Sequence, residues 1–197
     1  MIDHKHFIVH KPYGYLSQFI NNQTKRKKKM LGELYDFPEG TMAIGRLDVN
    51  SEGLLLLTTD GKVSEYVRSR KVEKEYYVQV DGLITKKEIE ELKNGLEISV
   101  EGKKYTTKPC KASIISTPSF PNRTQKIRDQ RHGPTSWISI TINEGKFRQV
   151  RKMTAVVGFP TLRLIRIRIG AIFLADLALG KVEEVLDLNE KISTFKI

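Results

Sequence analysis

An α+β fold follows from three features of the 197-residue chain. Stretches such as Tyr76-Tyr77-Val78-Gln79-Val80 and Ile138-Ser139-Ile140-Thr141-Ile142 alternate with a period of two, as strands half-buried on a sheet do. Only two or three segments carry apolar residues at helical spacing. The connections between strands are mostly of hairpin length, too short for the helix-bearing crossovers of a doubly wound sheet. With 39% hydrophobic and 29% charged residues the chain is lean but able to bury a core, which excludes a disordered polypeptide. No repeat or linker divides it, so residues 1–197 are expected to form one domain, with room for two sublobes sharing a sheet.

From the N-terminus, Phe7-Ile8-Val9 before Lys11-Pro12-Tyr13-Gly14 reads as a strand closed by a turn. Residues 30–36 form a helical turn ahead of Pro38. Met42 to Asp48 is strand-like, and Asn50-Ser51-Glu52-Gly53 turns the chain into the apolar run Leu54–Leu57, a buried strand. Asp60 caps a helix over about residues 61–70. Glu75 to Asp81 places Tyr76, Val78 and Val80 on one face. Thr85 and Glu88 make a capping box for a helix that buries Ile89 and Leu92 and ends near Gly95 with a left-handed cap. Residues 116–135 lack apolar periodicity, and so long a loop in a compact domain is functional or mobile. Trp137 to Asn143 is a strand. Phe147, Val150, Met153 and Val157 mark one helical face, stopped by Gly158-Phe159-Pro160, with Arg148, Arg151 and Lys152 on the opposite face. Leu162 to Ala171 alternates again, with Ile165, Ile167 and Ile169 opposite Arg166 and Arg168.

The charge narrows the partner class. Thirty-four Lys and Arg against 23 Asp and Glu give a formal net charge of +11. Residues 121–170 hold eleven of the cations against Asp129 and Glu144, a net of +9. A track of that density across several elements points to nucleic acid. The run Lys25-Arg26-Lys27-Lys28-Lys29 reads equally as a solvated face or an RNA contact. Nothing resembles an export signal, and the Leu54–Leu57 run is far too short to span a bilayer, so a cytoplasmic protein without membrane attachment is expected. The single cysteine, Cys110, excludes an internal disulfide and a cysteine zinc site, and reads as a small buried residue. His4, His6 and His10 sit at strand-like spacing, which accounts for them without a metal.

The string that carries chemistry is Gly45-Arg46-Leu47-Asp48 followed by Ser51-Glu52-Gly53-Leu54-Leu55-Leu56-Leu57-Thr58. Asp48 lies where an extended segment meets a turn, with Arg46 two residues earlier on the same strand face. By itself the pair reads as a turn cap with its counter-ion. The whole string, however, resembles the signature of the RNA pseudouridine synthases, in the branch typified by enzyme A of the small ribosomal subunit. Lys11-Pro12-Tyr13-Gly14, Lys74-Glu75-Tyr76-Tyr77-Val78, Glu144 to Met153, and Gly158-Phe159-Pro160 with Leu162 to Arg166 resemble further motifs of that family in the same order. The segment around Pro118, Arg123, Ile127-Arg128 and Pro134 to Trp137 is similar to type E among the synthases of the large ribosomal subunit. An N-terminal S4-like RNA-binding domain is not expected. His10 departs from the asparagine common in relatives, at a position with no chemical role.

The resemblance implies a pseudouridine-synthase fold: a mostly antiparallel or mixed central sheet flanked by helices and loops, with a central RNA-binding cleft. It implies Asp48 as the essential carboxylate, Tyr76 packed against the uracil, and Arg151 paired with Asp48. Arg46 would hold the target uridine out of its helix. Arg123, Arg128, Arg131, Arg148, Lys152 and Arg166 are the expected contacts along the RNA track. The implied reaction is isomerisation of a uridine in ribosomal RNA, 23S large-subunit RNA or an assembling subunit, by a monomer. It needs neither cofactor nor metal, and the carboxylate adds to the sugar, adds to the ring or assists elimination. The rival reading is an RNA-binding or ribosome-assembly protein that keeps the fold without turnover.

Overall fold

A computed structural model describes residues 4–20, 28–69, 72–123, 125–127 and 130–193. In chain order its elements are β1 (His6–Lys11), β2 (Met42–Ala43), β3 (Glu52–Thr58), α1 (Gly61–Ser69), β4 (Lys74–Asp81), α2 (Lys86–Asn94), β5 (Glu97–Val100), β6 (Lys103–Thr106), β7 (Lys111–Ile115), β8 (Thr135–Ile142), α3 (Gln149–Val156), β9 (Thr161–Ile169), β10 (Ile172–Phe173), β11 (Val182–Val185) and α4 (Leu188–Ser193). Single 3-10 turns occupy Leu31–Glu33 and Gln130–His132. The chain divides into two compact units, one from Met1–Val72 with Arg166–Ile197 and one from Glu73–Ile165.

In the first unit β1 lies between β11 and β3, antiparallel to both, with His6 opposite Val185 and Thr58. β2 adds to β3 through Met42↔Thr58 and Ala43↔Leu57, and β10 folds back on β9. All residues of β1 and β3 are buried, as the unbroken apolar run Leu54–Leu57 implied. Phe7, Val9, Leu31, Leu55 and Leu57 form one core cluster, bordered by Phe19 and Phe37. Phe37 meets Phe7 and Phe19 edge-on at centroid distances of 5.2 and 5.4 Å, contacts worth ~0.5–1.5 kcal/mol each beyond burial. Asp60 Oδ1 accepts from the Lys62 amide at 2.8 Å, the expected cap of α1.

The expected strand from Met42 to Asp48 ends at Ala43. Beyond it the chain is held by point contacts: Ile44 N donates to Leu56 O, and the Ser17 hydroxyl bonds both the N–H and the carbonyl of Leu47. Ile44 and Leu47 are buried three residues apart, so their apolarity reflects anchoring and not sheet alternation.

In the second unit β8 lies between β4 and β7, antiparallel to each, with Tyr76↔Ile140 and Ala112↔Ile140 in register. Tyr76, Val78 and Val80 are buried and their odd neighbours half-buried, as the alternation required. The Thr85/Glu88 capping box opens α2, which buries Ile89 and Leu92. Gly95 ends α2 at φ 91°, ψ 148°, an extended positive-φ geometry in place of the expected left-handed cap. A Cβ there would stand 2.4 Å from Thr107 O. β5 and β6 form a hairpin whose two-residue turn, Glu101-Gly102, has φ positive at both positions.

The described part of the 116–135 loop is irregular except for its 3-10 turn, yet it is fastened. Arg163 Nη2 donates to Pro121 O at 2.9 Å, and the Phe120 ring lies against Tyr77 and the Arg163 guanidinium. α3 starts two residues after Phe147 and ends in a Schellman motif, Phe159 N to Thr154 O and Gly158 N to Ala155 O. Phe147 and Arg148 are therefore not on the helix, and the buried face is Gln149, Val150, Met153 and Thr154.

Candidate active site

Asp48 occupies a turn of the first unit closed by Ser51 N donating to Asp48 O at 2.9 Å, while Gly14 N donates to the next carbonyl, that of Val49. The carboxylate is half-buried and Arg46 is exposed. Because the segment is not a strand, the expected shared face of Arg46 and Asp48 does not exist. Leu47 between them is buried, which pins the turn to the core.

Beneath this turn lies a buried ionic group that sequence reasoning missed. Lys11, the last residue of β1, is fully buried. Its Nζ donates to Pro12 O at 2.9 Å and Tyr15 O at 2.7 Å. Glu52 and Arg166 are buried beside it. Burial pushes the Lys11 ammonium down to about 7, Glu52 and Asp48 pull it back up, and Arg166 adds to the fall. Arg166 Nε donates to Leu54 O at 2.7 Å. With 3% exposure, Arg166 is a cation of the core and not a solvent-facing member of the RNA track. Gly53 opposes Lys11 in the ladder and has φ +104°, and a Cβ on it would stand 2.3 Å from Arg166 O. The only signal in the sequence was a lysine ending a strand that is otherwise continuous and buried.

The second unit holds the other expected site residues. Tyr76 sits mid-strand on the buried face of β4. Arg151 and Lys152 are half-buried on α3, and Arg148 caps its N-terminus in the left-handed conformation, φ 53°, ψ 32°. Gln149, also missed, is buried and organises this end of the helix. Its Nε2 donates to Glu144, its Oε1 accepts from Lys146 N at 3.0 Å, and Tyr105 OH donates to the other Glu144 oxygen. Burial raises the Glu144 carboxyl, but hydrogen bonds from Tyr105, Lys108 N and Gln149 outweigh it and hold the group below its ordinary value. Arg123 is half-buried, with Nε donating to Gln125 O, and Arg131 is exposed on its 3-10 turn. Arg128 lies outside the described residues, as do Lys25 to Lys27.

The remaining candidates have ordinary partners. His6 Nδ1 lies 2.8 Å from the Thr58 hydroxyl, and the His10 ring bonds Leu177 O. No cluster of three potential metal ligands occurs among the described residues. Cys110 Sγ donates to Leu92 O, and burial pushes its thiol up to about 11. No described helix is long and apolar enough to cross a membrane.

A family model described as RNA pseudouridylate synthase matches residues 5–156. The chain belongs to the RNA pseudouridylate synthase family. It is 41% identical over 92% of its length to the ribosomal large subunit pseudouridine synthase E of Vibrio parahaemolyticus, covering 74% of that protein. To the protein of the same description from Xanthomonas campestris it is 40% identical, over 88% of this chain and 91% of the relative. A crystal structure of a pseudouridylate synthase superposes with a TM-score of 0.73 at 25% identity, over 94% of this chain and 71% of the other. The fold is that of the pseudouridine synthases, and membership makes the chain an isomerase.

Proposed function

We propose that this pseudouridine synthase isomerises a specific uridine of large-subunit ribosomal RNA, either 23S RNA or an assembling subunit, as a cytoplasmic monomer. The observation that carries the substrate is the 40–41% identity, over about nine tenths of the chain, to relatives described as ribosomal large subunit synthases. In the reaction the N1–C1′ bond breaks, the uracil turns over, C5 bonds to C1′, the C5 hydrogen leaves as a proton, and N1 takes up a proton in its place. Atoms and electrons balance without an external group.

Asp48 is the carboxylate that assists this exchange. Arg151 pairs with it and keeps it oriented toward the substrate. Arg46 helps hold the target uridine out of its helix, and Tyr76 packs on the uracil. Lifting the base from its stack costs a few kcal/mol. Phosphate contacts from Arg123, Arg128, Arg131, Arg148 and Lys152 offset that cost, so affinity falls steeply with salt.

Tritium release from unmodified large-subunit RNA labelled at uridine C5 tests the reading, because only isomerisation expels that hydrogen. Wild type releases it, while Asp48→Asn releases none and keeps its RNA affinity within about threefold, a difference below ~1 kcal/mol. Tight binding without release by wild type would leave an RNA-binding or assembly protein in place of an enzyme.

A further inference from the structure

Phe147 is 62% exposed, although its spacing from Val150 and Met153 suggests a core position. Two features of the chain put it there. Arg148 adopts the left-handed conformation, which breaks the helical path just before α3. Gln149, buried and bonded to Glu144 and to the Lys146 amide, fixes the 144–149 turn from below. The ring is thus presented by a braced turn, not by a loose loop, and a preorganised aromatic loses little freedom on binding.

Its surroundings are cationic. Lys152 Nζ stands 5.3 Å from the Phe147 ring centroid. Lys146 and Arg148, its chain neighbours, are both exposed. Phe173, the other exposed phenylalanine among the described residues, also carries a cation, Arg168 at 5.9 Å. It borders a groove lined by Asp176, Glu183 and Lys191, however, whose net negative lining suits a polyanion less than the basic neighbours of Phe147 do. The surface at Phe147 joins a largely exposed ring to three basic side chains, the combination that holds a splayed base while neutralising the phosphates beside it.

We infer that Phe147 is a stacking platform for an unpaired base of single-stranded RNA, with Lys146, Arg148 and Lys152 holding the flanking phosphates. A duplex keeps its bases stacked internally and has none to offer. The platform therefore biases the protein toward loops, bulges and ends. The inference rests on the proposed function only for the identity of the polyanion, and it adds a contact outside the residues assigned to the reaction.

Affinities of the 197-residue chain for a labelled oligouridine and for an RNA duplex of equal length, over a range of KCl, test it. Phe147→Ala weakens oligouridine binding roughly 5- to 150-fold, the span observed for losing one base–aromatic stack. The slope of log affinity against log salt stays unchanged, because no phosphate contact is lost. Phe147→Trp retains wild-type affinity, Phe147→Leu behaves like alanine, and duplex binding moves less than twofold. The leucine and tryptophan variants preserve apolar volume, so they decide the matter even where the alanine variant folds poorly. Alanine binding within twofold of wild type, leucine binding as well as tryptophan, or an equal loss on duplex overturns the platform. Wild-type tritium release is read separately: its absence removes the proposed function while leaving these binding outcomes to stand or fall by themselves.

Discussion

Replacing Lys11 by methionine probes the buried ionic group under the Asp48 turn. In wild type the ammonium is fully buried, satisfied by two carbonyls, and lowered from 10.5 to about 7. That fall of about 3.5 corresponds to roughly 5 kcal/mol disfavouring the charged form in the folded protein, at ~1.4 kcal/mol per pKa unit. The sign follows from proton counting. Below pH ~7 folded and unfolded chains both hold the proton, so the penalty is present in full. Between pH ~7 and ~10.5 only the unfolded chain holds it, and unfolding takes up a proton. Stability from this group therefore rises with pH, by up to about 1.4 kcal/mol per unit. Urea unfolding of wild type and Lys11→Met in parallel, from pH ~6 to ~9, cancels the groups common to both. The difference, wild type minus variant, stays level below pH ~7 and climbs in favour of wild type above it. A difference that stays level to pH ~9 would mean that Lys11 is charged throughout, against the burial that lowers it.

Gly53→Ala combines a φ of +104° with a Cβ 2.3 Å from Arg166 O, and should cost about 2–4 kcal/mol in urea unfolding. A loss below ~1 kcal/mol would mean that the strands part easily at this point. Cys110, with its thiol at about 11 against an ordinary 9.0, holds on the order of a hundredfold less thiolate near neutral pH than an unfolded cysteine. Native protein should react with a disulfide reagent at least that much more slowly than the urea-unfolded chain, and equal rates would contradict the burial of Cys110.

What was legible in the sequence was what one-sided burial writes into it. β4 announced itself because Tyr76, Val78 and Val80 face a core while their neighbours do not. β3 was equally plain, since a strand covered on both faces tolerates only an apolar run. Capping at Asp60 and Thr85 depends on contacts two or three residues away, which local sequence records. The errors arose where distant partners decide. Ile44 and Leu47 resemble strand residues because both are buried, but Ser17 and Leu56 hold that segment without a ladder. Phe147 continues a helical spacing across a turn that a non-glycine residue, Arg148, makes in the left-handed region. Lys11 could not be read as buried, because lysine ordinarily faces water and the carbonyls that satisfy it are set by the turn after the strand. Of the candidate site, Asp48 stood out in the sequence because the string around it resembles the family signature. The group beneath it, Lys11, Glu52 and Arg166, comes from three separate segments.

The pairing of β1 with β11 bears on how the molecule is made. Val9 lies opposite Val182, 173 positions later, so at ~5–20 residues per second the ribosome delivers the partner roughly 10–30 s after the strand that awaits it. The unit from Glu73 to Ile165 has all its own strands by then, whereas β1 waits with one edge open. An apolar strand with an unfilled edge invites the wrong neighbour. Translation speed, temperature and chaperone supply over that interval should therefore set the yield of usable protein, and the segment from Arg166 onward becomes the part of the message whose late arrival matters most. The carboxylate at position 48 is encoded in the first quarter of the chain, yet Arg166, buried beside Lys11 and bonded to Leu54 O, arrives only near the end. Nascent chains stopped short of that point would carry the signature of the family without the finished ground on which it stands.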